Sequence, residues 1–509
     1  MNKNQGELHH VNNLSTMTKA TAFFVLIILY ANTARTQQLL NGNFETGTAD
    51  SWKFSTAASV NPSLKPGYTF TIDRDTSKGN SLVGHYKSGG NAFWCQLRQK
   101  VGYKPTDSLE KIRLRASVKF KKGMAGTASV AARALQGNQS FGFFEQVLVA
   151  DTAWTPVQID FIVPQWIDSI AVFCALRGNG EFWFDDLRLE KIGSGKFEQS
   201  AEAKAYLDSA IRIIAANAFY RDSIDFQDYV DYARLVASDA KTPADCYGSI
   251  AFILQGLNQK DHHSFFQTAS QAAALNSENG EDFTMPSGGL IGKDIGYVKV
   301  PATGALSDKV VRLYADSLQR LIRKLDSKNI RGWIVDVRDN TGGNSFPMQL
   351  GLGPIIGEGI FNRKLKGGVV VDSTGYRKGA IRVNGETLVK IDHPYSLLRA
   401  DPRVAVLMNG LTGSSGESVV LGFKNRPGAK LFGAPTYGAT TANTDFTLPD
   451  GALMLVMTGV QTDRSGHEYG GKIYPDVAVK DDETTKADEV ADAAAQWIRS
   501  EKGKGKEKE

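Results

Sequence analysis

The sequence predicts a multidomain chain: an N-terminal all-β sandwich, a short helical domain and a C-terminal α/β core. Three shifts in pattern carry that expectation. Short alternating strand-like runs recur through residues 38–193, and apolar residues at three- and four-residue intervals take over at 197–275. From about 285, continuous apolar strands alternate with an amphipathic helix. A chain of 509 residues is also too long for a single hydrophobic core. The divisions read from these shifts are 1–36 (signal-peptide region), 37–195 (sandwich), 196–275 (helical part), 276–500 (α/β core) and 501–509 (disordered basic tail).

At the N-terminus, ATAFFVLIILYA (20–31) is a short apolar run preceded by Lys19 and followed by the small residues Ala31, Thr33 and Ala34. Length and flanks match a secretory signal peptide, with Met17 as an alternative start, and an uncleaved anchor is the competing reading. No cysteine follows the run, which argues against a lipid-modified N-terminus. The expectation is an exported protein of the periplasm, outer surface or extracellular space, with no stable membrane span once the signal is removed.

The net charge of +5 is small for this length, and Lys502, Lys504, Lys506 and Lys508 of the tail supply part of it. No basic face is interleaved with aromatics, so nucleic acid is excluded as a partner. Three cysteines, Cys95, Cys174 and Cys246, are too few for a disulfide scaffold. Cys95 and Cys174 fall in one domain, and pairing or burial as free thiols are both open.

Within the sandwich, IRLRASVKF (112–120), PVQIDFIV (156–163), DSIAVFCAL (168–176) and FWFDDLRLE (182–190) are separated by Gly, Asn, Asp and Pro. In the helical part, AKAYLDSAIRIIAANAF and CYGSIAFILQGL carry the helical period. In the core, IGYVKV, GWIVDVR and VAVLMN read as strands, the last two as strands buried on both faces. DKVVRLYADSLQRLIRKL (308–325) reads as an amphipathic helix, a further helix begins near Ser415, and 365–400 reads as an irregular insertion.

Three places could do chemistry. After VAVLMN comes Asn409-Gly-Leu-Thr-Gly-Ser-Ser-Gly-Glu-Ser418, a strand running through small residues into a helix. Such a turn exposes a hydroxyl at a helix N-terminus, where N–H groups favour developing negative charge; a plain helix cap explains it equally well. At the end of GWIVDVR comes Asp336-Val-Arg-Asp-Asn-Thr-Gly-Gly343, whose paired glycines let backbone N–H groups approach a ligand. Asp336 and Arg338 are placed to pair and hold that loop. The third place is Asp261-His-His-Ser264 after an apolar helix; a serine nucleophile needs a base that titrates near neutrality. No cysteine or carboxylate cluster sits at ligand spacing to His262 and His263, so no metal and no cofactor are expected.

The order of these motifs resembles the tail-specific serine peptidases, the family of the C-terminal-processing proteases, tricorn and the retinoid-binding repeats. DHHS (261–264) looks like the family's D-x-H-[ST], and DVRDNTGG is similar to D-[LV]-R-x-N-x-G-G. Thr412, Ser414 and Glu417 fall on T-x-S-A-A-E, with Ser415 and Gly416 replacing the alanines, and YGGKIYPD (469–476) resembles the closing G-x-x-x-P-D. The resemblance covers roughly 200–500 and implies a crotonase/ClpP-like core acting on a peptide or protein substrate, as an endopeptidase or a carboxy-terminal-processing-like enzyme.

Ala439 stands where the processing branch carries its lysine, and Lys424 and Lys430 do not fit that motif, so the Ser–His layout of the tricorn-like branch is implied. Ser414 is then the nucleophile and His263 the base. Ser415 with Gly342 or Gly343 forms the oxyanion hole, and Asp336, Arg338 and Glu417 support the loops. The group orienting His263 stays open among Glu468, Asp261 and a backbone carbonyl. The sandwich ends, NGNFETG with Trp52 and FWFDDLRLE, resemble jelly-roll carbohydrate-binding modules. That likeness implies a glycan partner stacking on Trp52, Trp94 and Trp183, against a core role for the same rings. Two further readings compete: a non-catalytic glycan- or peptide-binding protein on a peptidase-like scaffold, and an α/β-hydrolase esterase using His467.

Overall fold

The computed structural model describes residues 39–60, 67–88, 94–123, 126–261, 263–275, 284–480 and 487–500. The apolar run 20–31, His262 and the lysine tail lie outside them. No described helix is long and apolar enough to cross a membrane. The chain divides into two compact units. The first takes in the described residues up to Lys121, with Thr127–Ser140 and Phe144–Gly195; the second is essentially Lys196 onward.

The first unit is built on two five-stranded sheets. One has the order Lys53–Thr56, Trp94–Gly102, Ser169–Arg177, Thr127–Gln136, Gln139–Val147; the other Tyr68–Asp75, Ser81–Ser88, Gly180–Ser194, Leu109–Lys122, Asp151–Pro164. The period-two pattern does what it should: along Leu109–Lys122, Ile112, Leu114, Ala116, Val118 and Phe120 are buried while their neighbours are half-exposed. The inner faces meet through Phe54 and Phe70, with ring centroids 5.7 Å apart, and through the Tyr86 hydroxyl, which donates to the Cys174 carbonyl at 3.0 Å. All three cysteines are buried and free. The register sets Cys95 opposite Leu176 and Cys174 opposite Leu97, so neither thiol faces the other across the ladder.

Trp52 corrects one expectation. Its ring is buried against Phe44, and its Nε1–H donates to the Leu40 and Asn41 carbonyls, which makes it a core residue closed to sugar. Trp183 is half-buried and stacks on His85, with the Lys119 ammonium 4.6 Å from its ring centre. Trp94 is half-buried at the start of its strand.

The second unit opens with helices Ala201–Asn217, Phe226–Val236 and Tyr247–Asp261. Its six-stranded sheet has the order Ser287–Ile291, Ile295–Lys299, Gly332–Asp336, Arg403–Met408, Ala429–Gly433, Val477–Ala478, parallel except at the first strand. The central strands are apolar throughout because both faces are covered. Val404, Val406 and Met408 pack under helices Asp308–Leu325, Ser345–Ile356 and Ser415–Phe423, while Ala405 and Leu407 pack under Glu489–Arg499. Each of the valine, leucine and methionine side chains so buried contributes about 1.5–3 kcal/mol. Helix Asp308–Leu325 is capped by Ser307 and carries Asp308 in its first turn and Arg323 and Lys324 in its last, the charge order its dipole favours.

An antiparallel sheet completes the unit, ordered Phe265–Gln267, Leu453–Thr462, Gly359–Lys366, Val369–Arg377, Ala380–Val383, Glu386–Lys390, with Thr441–Thr447 and Glu468–Tyr469 also on Leu453–Thr462. Three of these strands occupy the stretch expected to be irregular. They are joined by tight turns at Gly367-Gly368, Lys378-Gly379 and Asn384-Gly385, all at positive φ, the condition for two-residue hairpins. The exposure of Val369, Val370 and Val371 on successive positions blurred the alternation that would have announced them.

Candidate active site

The central parallel strand Arg403–Met408 delivers its chain to the mouth of the sheet, where residues 409–414 turn sharply into helix Ser415–Phe423. Ser414 sits at the bend with φ 49 and ψ −117, a conformation that side chains rarely adopt and that costs of order 1–3 kcal/mol. Neighbouring groups hold it there. The Ser414 N–H donates to Glu417 Oε2 at 2.9 Å, and the Gly413 N–H to the Asn340 carbonyl at 2.9 Å.

Glu417 is fully buried; its other oxygen accepts from the Thr436 hydroxyl at 2.5 Å and the Gly438 N–H at 2.9 Å. Burial pushes its carboxyl up to about 7, against the donors of Thr436, Gly438, Ser414 and Ala439, which favour the charged form. Ala439 therefore does more than stand in the lysine's place: its N–H serves the carboxyl behind the nucleophile. Lys424 pairs with Asp476 at 2.6 Å, and the Lys430 ammonium lies over the Trp497 ring, so both are engaged elsewhere.

His263 enters from the antiparallel sheet, just ahead of Phe265–Gln267. It is 8% exposed, its Nε2 lies 2.8 Å from Ser414 Oγ, and its Nδ1 lies 2.8 Å from the Thr441 hydroxyl. Its carbonyl accepts from Asn443 Nδ2 at 2.9 Å. Thr441 begins the strand Thr441–Thr447 and is itself fully buried, with its carbonyl held by Gln461 Nε2 at 3.1 Å.

The expectation for Glu468 is corrected by this geometry. Glu468 is exposed on a two-residue strand opposite Thr462 and lines a separate hollow with Lys424 and His467. The hydroxyl of Thr441, a neutral group, stands at Nδ1. Asp261 ends the helix Tyr247–Asp261, and its side chain lies outside the described residues. His467, the base of the esterase reading, is exposed and packs edge-on to Tyr469, while His263 stands at Ser414.

The loop 337–344 closes the other side. Asp336, 1% exposed, takes a two-pronged contact from Arg338, which reaches on to Asp488 at 2.7 Å. Tyr297 and Lys299 add donors, and these partners hold the Asp336 carboxyl below the usual carboxylate range in spite of its burial.

Gly342 and Gly343 adopt φ 114 and 105. A Cβ on Gly342 would lie 2.7 Å from Ser414 Cβ, and one on Gly343 would lie 2.1 Å from the Thr303 carbonyl oxygen, so only glycine lets this loop lie against the bend. The Gly342 N–H donates to Asn340 Oδ1 at 3.0 Å, which removes it from the pair of oxyanion alternatives. Gly343 and Ser415 stay as the candidates. The Ser415 N–H opens its helix, where the first N–H groups have no intrahelical acceptor, and the Ser415 hydroxyl ties to the Gly343 carbonyl at 2.5 Å.

A half-buried hydroxyl 2.8 Å from an imidazole, beside a glycine loop and a helix N-terminus, can support acyl transfer through a covalent ester. Residues 294–479 match the profile of peptidase family S41, the description that meets the tail-specific peptidase resemblance carried by the motifs. That span includes Ser414 and the glycine loop but begins after His263.

The chain is 31% identical over 194 residues to a nisin-resistance protein of Lactococcus lactis subsp. lactis, covering 37% of this chain and 55% of that one. It is 30% identical over 177 residues to the chloroplastic carboxyl-terminal-processing peptidase 2 of Arabidopsis thaliana, covering 34% and 29%. The chain thus spans about half of the first relative's length and under a third of the second's. Among solved structures, a lipoprotein from Streptococcus agalactiae aligns with TM-score 0.48 at 22% identity, covering 60% of this chain and 98% of that one.

Sequence reasoning missed Thr441, Asn340 and Asn443. A threonine opening a strand carries no signal of its own. The asparagine inside DVRDNTGG was in view, and its double duty, carbonyl to Gly413 and side chain to Gly342, belongs to the folded loop.

Proposed function

We propose that this chain is an exported serine peptidase. Ser414 Oγ attacks the peptide carbonyl carbon as His263 Nε2 takes its proton. The Gly343 and Ser415 N–H groups receive the charge on the carbonyl oxygen, each worth about 2.7–4 kcal/mol when well placed. His263 then returns the proton to the leaving amine as the C–N bond breaks, and water, deprotonated by His263, releases the acyl group from Ser414. With Nδ1–H donating to Thr441, Nε2 is the basic nitrogen.

The observation that carries this reading is the 2.8 Å contact between His263 Nε2 and Ser414 Oγ beside the glycine loop. The S41 profile and the relative named a carboxyl-terminal-processing peptidase support a peptide or protein substrate, and the run 20–31 supports export. Labelling of the full chain by a fluorophosphonate probe tests the nucleophile. Absence of labelling in the folded protein would favour the binding-protein alternative.

Thr441→Val is expected to lower kcat by about tenfold to a hundredfold, since it takes one hydrogen bond from the base without changing side-chain volume. Thr441→Ser should restore most of the rate. The acid limb of the kcat/KM profile should move in Val and return in Ser, and an unchanged profile in Val would show the hydroxyl to be mere packing.

Glycan binding by the sandwich is a separate proposal that now rests on Trp94 and Trp183. A broad glycan array probed with the full chain, with no binder found, would remove it.

A further inference from the structure

The cleft holding Ser414 and His263, about 460 Å³, has an imbalance between donors and acceptors. The side-chain amide donors of its inner wall are committed to the protein. Asn362 Nδ2 and the Ser418 hydroxyl both donate to Gln461 Oε1, at 2.8 and 2.7 Å, and Gln461 Nε2 donates to the Thr441 carbonyl. Asn443 Nδ2 serves the His263 carbonyl, and Gln349 Nε2 serves the Ser418 carbonyl at 3.4 Å. The acceptors are not so spent. Oε1 of Gln349, Oε1 of Gln267 and Oδ1 of Asn443 are buried and have no hydrogen-bond partner among the described residues.

Gln349 matters most. It is 2% exposed, and its amide cannot simply be turned over, because that would set its oxygen against the Ser418 carbonyl. Ser418 lies one helical turn beyond Ser414, so the two share a face of helix Ser415–Phe423 and its cap, and Gln349 stands beneath that face. A buried acceptor without a donor is costly, and a ligand that brings one removes the cost.

We infer that the subsite beside Ser414 selects a substrate residue whose side chain carries an N–H or O–H, received by Gln349 Oε1. The inference rests on the peptidase reading and adds to it a substrate class: peptides cut next to a hydroxyl-, amide- or amine-bearing residue. Asp372 and Asp445 add carboxylates to the same cleft, and the Lys364 ammonium, which donates to Thr444 at 2.6 Å, is the cation set among them.

The test digests a mixture of synthetic 14-residue peptides, diverse in adjacent residue pairs, with the full chain, and reads cleavage sites and rates by mass spectrometry. At a position flanking the cut, Thr should exceed Val and Gln should exceed Met by about tenfold. The Thr, Gln and Lys arms tell hydroxyl, amide and ammonium apart. Gln349→Met, of similar volume, should level these ratios while labelling by the fluorophosphonate probe persists, which shows the site still folded. Gln349→Glu should raise the Lys arm about tenfold. Equal ratios in the wild type, or ratios that Gln349→Met leaves untouched, overturn the inference alone. If no peptide is cut in a Ser414-dependent way, the peptidase reading falls and this inference with it.

Discussion

Ser414→Ala is expected to cut peptide hydrolysis by a factor on the order of 10⁴–10⁶ and to abolish fluorophosphonate labelling. His263→Ala should fall in the same range, and the double variant should be no slower than the worse single one, because nucleophile and base act as a unit. What survives is the rate supported by the oxyanion donors and substrate binding alone, which neither change removes. Ser414 is only half-buried, so its alanine variant should unfold within a few degrees of the parent. Single-turnover rates on one peptide substrate, with melting curves alongside, check this. A His263→Ala enzyme working at the parental rate would mean that another group takes the serine proton.

Glu417→Gln is expected to damage both turnover and stability, and to do so in a pH-dependent way. Gln keeps the shape but replaces one acceptor with an NH₂ facing the donors of Ser414, Thr436 or Gly438. A buried mismatch of that kind costs about 1–3 kcal/mol. It also loosens the support of the Ser414 bend, and a 1 Å displacement of a nucleophile costs on the order of 10² in rate.

The pH dependence follows from the carboxyl being raised from 4.5 to about 7 in the fold. Between those values the folded protein keeps a proton that the unfolded chain has released. This group's contribution to stability is therefore fully present below 4.5 and declines as pH rises to about 7, by roughly 3 kcal/mol, then stays level. The stability deficit of the Gln variant should thus be widest near pH 4.5 and narrow above pH 7. Urea midpoints of both proteins at pH 5 and pH 8 measure it, and a deficit of the same size at both values would show that Glu417 does not titrate in this window.

Much of the layout could be read along the chain because it is written in local patterns. VAVLMN and GWIVDVR are apolar at every position, which is what a strand covered on both faces demands, and the small residues after each predict a close approach of backbone to ligand. The histidine, glycine and serine motifs could be ordered by inspection. The meander at 369–390 was missed although Asn384-Gly385 is a strong hairpin signal, because Val369, Val370 and Val371 are all exposed. Trp52 stayed open between stacking and core, since an aromatic side chain reads the same whether it faces core or solvent.

By itself, then, the sequence determined the strand and helix periods, the order of sandwich, helical part and α/β core, and the residues able to act as nucleophile, base and close-approach glycines, all consequences of side-chain chemistry at fixed spacing. Only the tertiary structure decided that Thr441 stands at His263 Nδ1, that Asn340 Oδ1 occupies the Gly342 N–H, and that Gln349 is buried beneath the helix that follows Ser414. The first depends on a hydrogen bond between residues 178 apart and the last on one between residues 69 apart, whereas the Asn340 bond is local and needed only the folded loop to show it. Contacts between segments so far apart in the chain are set by how strands and helices of the second unit pack, and no local pattern records that.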